Sequence, residues 1–346
     1  MVLIFCDDLG YGDLGCYNPA SRIPTPNLDR FASEGTWFKQ FYVASAVCSP
    51  SRVAFMTSHF PARHQVHAQF STHDANGARS MPDWLDTSAA TVAKLLHDSG
   101  YATAHFGKWH MGNGAGAPPP EQYGFDLSKT YASSGPQLNF DLAAPFGNAK
   151  STTEIVDETI RFVTDHKDQP FYVNLWTLLP HTPVTPTQVQ LADYASLAPT
   201  ANNPAFGSWM RKYLTSAPDL KNAMQAWCAS LTDLDTQLGR LFATLDQLQL
   251  AEDTIIFFAS DNGPEDFRSN GPSNPGVGNT GPLRGRKRSL YEGGIRTPAL
   301  VRWPGHVPAG RVDETSVISA VDFLPTVCAL ASVNVPQEVQ PDGEDV

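Results

Sequence analysis

Met1-Val2-Leu3-Ile4-Phe5-Cys6-Asp7-Asp8-Leu9-Gly10 is an apolar run that ends in two adjacent carboxylates. Its apolar residues are continuous from Val2 to Phe5 rather than alternating. That pattern predicts a strand covered on both faces, as strands of parallel sheets are. Two carboxylates directly after such a strand are costly to bury unless a cation neutralises them. The same arrangement recurs along the chain. Tyr101 to Phe106 reads as a strand and ends on Gly107-Lys108-Trp109-His110. Phe171 to Trp176 leads into Leu179-Pro180-His181, and Thr254 to Ala259 runs into Ser260-Asp261-Asn262-Gly263. Helical segments lie between them. Thr25 and Pro26 read as the N-cap and first residue of a helix through Glu34. Ser151 to Lys167 is a second helix. From Leu220 to Leu248, Trp227, Leu231, Leu234, Leu238, Leu241 and Leu245 recur at helical steps. Alternating strands and helices predict an α/β fold, a large, mostly parallel mixed sheet sandwiched by helices. In such folds ligands sit at the carboxyl ends of the strands. The clusters Asp7/Asp8, Lys108/His110, His181 and Asp261/Asn262 are therefore expected around one site.

A chain of 346 residues with 41% hydrophobic content can form one large α/β domain. A net charge of −11 argues against wholesale binding to nucleic acid or anionic membrane. No apolar run reaches the roughly 18 residues of a transmembrane segment. The chain opens on an apolar strand with no polar lead-in, so a trimmed N-terminus and a lost secretion signal are expected. The five cysteines are odd in number and include no CxxC, which suggests neither a disulfide framework nor a thiolate zinc site. With 28 Pro and 26 Gly, many irregular loops are expected. Residues 112–150 and 182–220 are the longest of them, the first expected to line a pocket.

Val47-Cys48-Ser49-Pro50-Ser51-Arg52 is the second informative stretch. Pro50 can open a helix at its first turn, with residues 51–57 continuing it. Cys48 would then lie at or just before a helix N-terminus, where the dipole favours anions. Arg52, one turn in, can reach back with a forked donor. Taken alone, this is an activated thiol nucleophile next to an anion site, or else a small buried cysteine before a helix.

Asp7, Asp8, Asp261 and Asn262 are hard oxygen ligands without His or Cys in their own clusters, a set suited to Ca²⁺ or Mg²⁺. Arg52, Lys108 and Lys287, with His110 and His181, would hold a tetrahedral anion. A metal, a nucleophile and several cations together suit displacement at sulfur or phosphorus. His59, His64, His67 and His73 have irregular spacing, better read as a solvated or substrate-facing loop than as a second metal site. Arg284, Arg286, Lys287 and Arg288 form a basic run on an acidic chain, expected to attract a polyanionic substrate.

Cys48-Ser49-Pro50-Ser51-Arg52 resembles the CxPSR signature of type I sulfatases, in the alkaline-phosphatase-like superfamily. The likeness runs along nearly the whole chain. It includes Asp7-Asp8-Leu9-Gly10-Tyr11-Gly12-Asp13, Gly107-Lys108-Trp109-His110 and Ser260-Asp261-Asn262-Gly263. It also includes Leu283-Arg284-Gly285-Arg286-Lys287 and Tyr291-Glu292-Gly293-Gly294-Ile295-Arg296. The resemblance implies one catalytic domain over 1–346, and a smaller C-terminal subdomain is expected to be missing. It implies oxidation of Cys48 to Cα-formylglycine by a formylglycine-generating enzyme, the aldehyde hydrate being the nucleophile. It implies one Ca²⁺ on Asp7, Asp8, Asp261, Asn262 and residue 48. Arg52 and Lys108 would steady the formylglycine, and His110 would be the base that helps to eliminate sulfate. His181 and Lys287 would bind sulfate, with His181 as the acid for the leaving alcohol. The implied substrate is a sulfated carbohydrate or an aryl sulfate. The implied setting is periplasmic, secreted or lysosomal.

Where the family continues its signature with Leu-Thr-Gly-Arg, this chain has Met56-Thr57-Ser58-His59. That departure supports the alternative of a non-catalytic calcium- and glycan-binding relative with Cys48 unmodified. A phosphomonoesterase or phosphodiesterase of the same superfamily is the other alternative. It is disfavoured by Cys in the signature and by the lack of an Asp-x-x-x-His set near Asp261.

Overall fold

The computed structural model describes residues 1–21, 23–112, 116–131, 138, 147–215, 219–267 and 275–346. The strands are β1 (Val2–Asp7), β2 (Thr36–Tyr42), β3 (Ala102–Lys108), β4 (Leu127–Tyr131), β5 (Phe171–Pro180), β6 (Ile256–Ser260), β7 (Ala299–Arg302) and β8 (Arg311–Ser319). They form one eight-stranded sheet in the order β4-β3-β5-β1-β6-β7-β2-β8. β1 is parallel to both neighbours, with Val2 opposite Val173 on one side and Ile256 on the other. β7 alone runs antiparallel to its neighbours β6 and β2. All six residues of β1 are buried, as its continuous apolar run requires.

Strand periodicity divides β1 between two cores. Val2, Ile4 and Cys6 pack with the helices Pro26–Ser33, Gly147–Asp165 and Leu220–Gln247. Leu3 and Phe5 face the helices Cys48–Thr57, Val92–Asp98 and Phe323–Leu330. The sheet is thus covered by helices on both sides. Asp7, two residues beyond Phe5, continues the face that carries the Cys48 helix.

Several local expectations change. The helix near Cys48 starts at Cys48 itself, with extended Val47 as its N-cap and left-handed Ser58 at its C-cap. Thr25 makes no side-chain cap bond. The long helix caps Pro26–Ser33 instead: Asp235 accepts from Asn27 N at 3.1 Å and Leu28 N at 2.8 Å. The region 112–150 contains strand β4, a polar edge strand whose sequence LSKTY has little apolar signal. Its segments 113–115, 132–137 and 139–146 lie outside the described residues, as does the pocket-lining role expected of them. Region 182–220 holds the short helices Gln188–Ala192 and Ser208–Leu214. β8 escaped the sequence reading because most of its residues are exposed. Among the described residues, no helix is long and apolar enough to cross a membrane.

Candidate active site

The carboxyl ends of β1, β3, β5 and β6 lie along one edge of the sheet, because these strands are mutually parallel. Asp7 closes β1, Lys108 closes β3, His181 follows β5 and Asp261 follows β6. The β1–β6 register sets Cys6 opposite Ser260. That pairing brings Asp8 and Asp261 together, and Asp8 N–H donates to Asp261 Oδ1 at 3.1 Å. Gly107, inside β3, lies close against the neighbouring strand β5. It has φ +111, and a Cβ there would lie 1.8 Å from the Trp176 carbonyl oxygen.

Cys48 enters this edge from its own helix. Its Sγ lies 3.5 Å from Asp7 Oδ1 and 3.7 Å from Lys108 Nζ. One ligand atom each from Asp7, Asp8, Cys48 and His181 lie within 4.8 Å of one another. The cations are buried around them. Lys108 Nζ donates to Asp7 Oδ2. Lys287 Nζ donates to both Asp8 oxygens, at 2.6 and 2.7 Å. Arg52 donates to Asp261 Oδ2 from Nε and Nη2, and to the Lys108 carbonyl from Nη1.

Burial without full compensation sets the proton affinities. It pushes the Cys48 thiol up to about 12. It also raises Asp8, and raises Asp261 to about 6. Asp7 is buried too, but Lys108, His181 and Arg52 hold it well below the usual carboxylate range. These surroundings favour the small buried cysteine over an activated thiolate. The residue is 2% exposed, and its unmodified thiol stays neutral near pH 7.

The two histidines have assignable tautomers. His181 Nδ1 donates to the Thr182 carbonyl at 2.5 Å, so Nε2 faces Asp8 Oδ2 at 3.7 Å. Burial lowers its pKa to about 4. His110 Nε2 donates to the Phe70 carbonyl at 3.1 Å, which leaves Nδ1 as a buried acceptor with no hydrogen-bond partner. Burial first, then Lys108 and Arg52, keep His110 neutral.

The donor set fits a hard divalent cation. Asn262 Nδ2 donates to Asp8 Oδ1 at 2.6 Å, while its Oδ1 is buried without a hydrogen-bond partner. This orphaned amide oxygen, with the buried carboxylates of Asp7, Asp8 and Asp261, could hold a hard divalent cation such as Ca²⁺ or Mg²⁺.

Every residue singled out from the strand-end clusters therefore meets at one edge. Glu265 was missed. Its carboxylate lies 3.7 Å from Lys287 Nζ and binds the Arg288 guanidinium. Only its place three residues after Asn262 could have signalled it. The four loop histidines do not share one environment. His59 Nδ1 lies 3.0 Å from His64 Nε2, and His73 pairs with Asp83.

A family profile described as Sulfatase matches residues 1–333. Arylsulfatase A of Homo sapiens is 33% identical over 100% of this chain and 66% of its own length. N-acetylgalactosamine-6-sulfatase of Canis lupus familiaris is 31% identical, over 100% and 65%. The chain thus spans just under two thirds of these relatives. The crystal structure of Ps i-CgsB in complex with k-i-k-neocarrahexaose superposes with a TM-score of 0.77. It is 28% identical, covering 99% of this chain and 74% of that one. By sequence along nearly its full length and by fold, this chain belongs to the sulfatase family.

Proposed function

We propose that residues 1–346 form a single catalytic domain that hydrolyses sulfate esters of a carbohydrate, or aryl sulfates, and releases inorganic sulfate. The observation that carries the reading is Cys48 buried between Asp7 and Lys108 at the strand ends, within the CxPSR stretch. The named activities of the relatives and the oligosaccharide bound to Ps i-CgsB support a sulfated sugar as substrate.

In this reading Cys48 is converted to formylglycine. Its burial in the folded chain requires that a formylglycine-generating enzyme act before folding is complete. The setting that goes with this reading is periplasmic, secreted or lysosomal. Residue 48, as the aldehyde hydrate, gives up the proton of one hydroxyl to solvent and presents that oxygen to sulfur. A new O–S bond forms, and the S–O bond to the alcohol breaks with its electron pair going to the alcohol oxygen. His181 Nε2 takes up a proton once the anionic ester lies against it, and passes that proton to the alcohol oxygen. The second hydroxyl of residue 48 then passes its proton to His110 Nδ1. The aldehyde re-forms, sulfate leaves, and water restores the hydrate. A serine ester would lack this exit and would need a second attack at sulfur. Arg52 and Lys108 hold residue 48, while Lys287 and His181 bind the sulfate oxygens. Asp7, Asp8, Asp261, Asn262 and residue 48 would hold one Ca²⁺, or Mg²⁺, supplying electrophilic stabilisation of the sulfate oxygens.

The test is co-expression with a formylglycine-generating enzyme, mass analysis of the peptide bearing residue 48, and a sulfate-release screen. The screen covers carrageenans, ulvan, fucans, glycosaminoglycans and aryl sulfates. Conversion with turnover that Cys48→Ala abolishes supports the reading. An unmodified thiol, or turnover retained in Cys48→Ala, refutes it.

A further inference from the structure

The basic run 284–288 separates into residues with different tasks. Arg286 is buried and structural, donating to the carbonyls of Glu265, Gly278 and Gly276. Lys287 is buried on Asp8. Arg288 points outward, with its side chain 52% exposed. Its backbone nonetheless lies against the segment that leads into Cys48: Arg288 N–H donates to the Ala46 carbonyl at 2.8 Å.

Arg288 also has φ +70, in the left-handed region that disfavours a Cβ. Glycine would occupy that position without strain. A strained backbone bearing a long cation beside a reactive centre is a pattern of functional sites. The guanidinium binds Glu265, with Nη2 at 3.4 Å from Oε2. It can leave this carboxylate without stranding it. Glu265 keeps Lys287 at 3.7 Å and the Asp266 N–H at 2.8 Å. The pair is only half exposed, Arg288 at 52% and Glu265 at 14%, and its two contacts use only part of the five-donor guanidinium.

We propose that Arg288 is a specificity residue: its guanidinium receives a second anionic group, sulfate or carboxylate, carried by the substrate near the scissile sulfate. This rests on the sulfatase reading above and narrows its substrate to polyanionic glycans. The buried Lys287 serves the scissile sulfate, and Arg288, next in sequence but on the rim, serves the neighbour.

The experiment compares the wild type with Arg288→Gly, both carrying formylglycine for sulfate release and both left unconverted at Cys48 for binding, so that the ligands are not consumed. Arg288→Gly removes the guanidinium and relieves the left-handed strain, so its melting temperature is expected to stay level or rise. Binding is measured by calorimetry with galactose 6-sulfate, glucosamine 6-sulfate, their disulfated counterparts and a uronate-linked 6-sulfated disaccharide. At least one ligand with a second anion should bind wild type about tenfold or more tighter than its monosulfated counterpart. Arg288→Gly should erase that advantage, and which ligand loses it identifies the anion. The proposal fails if no second anion strengthens binding, or if Arg288→Gly weakens both kinds equally. Absence of sulfate release by wild type would instead defeat the underlying activity, while the binding comparison still decides the role of Arg288.

Discussion

Arg52 and Asp261 form a forked ion pair in which neither side chain is exposed. Nη2 and Nε donate to the same carboxylate oxygen, Oδ2, at 2.7 and 3.1 Å. Nη1 reaches the Lys108 carbonyl at 3.0 Å, and the guanidinium lies 5.0 Å from the Trp176 ring. One cation thus ties the Cys48 helix to the ends of β3 and β6.

Arg52→Lys retains the charge but loses the fork and the stacking. Its cost is expected to be about 2–4 kcal/mol of stability. Urea unfolding monitored by circular dichroism checks this, and an unchanged midpoint would contradict the bracing role.

Asp235→Ala tests the remote helix cap. Two backbone N–H groups and the Asn27 amide lose their common acceptor. A loss of about 1–2 kcal/mol is expected, as for a helix N-cap. Denaturant melts measure it, and a loss within experimental error would show that the first turn of Pro26–Ser33 finds another partner.

Unconverted Cys48 should resist alkylation. With its pKa near 12, the thiolate fraction at pH 8 is on the order of 10⁻⁴, and the sulfur is buried as well. Raising the pH toward 12 increases the thiolate, so reactivity should rise with pH. Iodoacetamide labelling of the calcium-free, unconverted chain with peptide mapping tests this. Rapid labelling of Cys48 at neutral pH would overturn it.

Calcium should stabilise the chain. Asp7 and Asp8 lie together at one edge, the Asp8 N–H reaches Asp261, and burial raises Asp8 and Asp261. Binding to the folded state alone would add about 3 kcal/mol at a hundredfold excess over Kd. Calorimetric scans after EGTA treatment should show a lowered melting temperature that added Ca²⁺ restores. No change on chelation would count against the ligand set.

The parallel core strands and their polar ends were legible because long-range order there leaves a local mark. A strand buried on both faces must be continuously apolar, so the residue where the run stops announces the sheet edge. β4 and β8 left no such mark, since edge strands need little apolar sequence. Thr25 does hold the N-cap position of Pro26–Ser33, but the side-chain acceptor is Asp235, which local sequence does not announce. A cap can come from any nearby oxygen, and Asp235 lies far away in sequence.

The sequence by itself determined the α/β sheet, the gathering of Asp7, Lys108, His181 and Asp261 at one edge, and the family that Cys48 signals. The tertiary structure decided which charges pair, because pairing depends on distances that sequence spacing does not encode. Consecutive residues Arg286, Lys287 and Arg288 illustrate this. One is bound to backbone carbonyls, one is buried on Asp8, and one stands on the rim with Glu265. The structure also buries the Cys48 thiol, and that burial raises its pKa although a helix N-terminus alone would lower it.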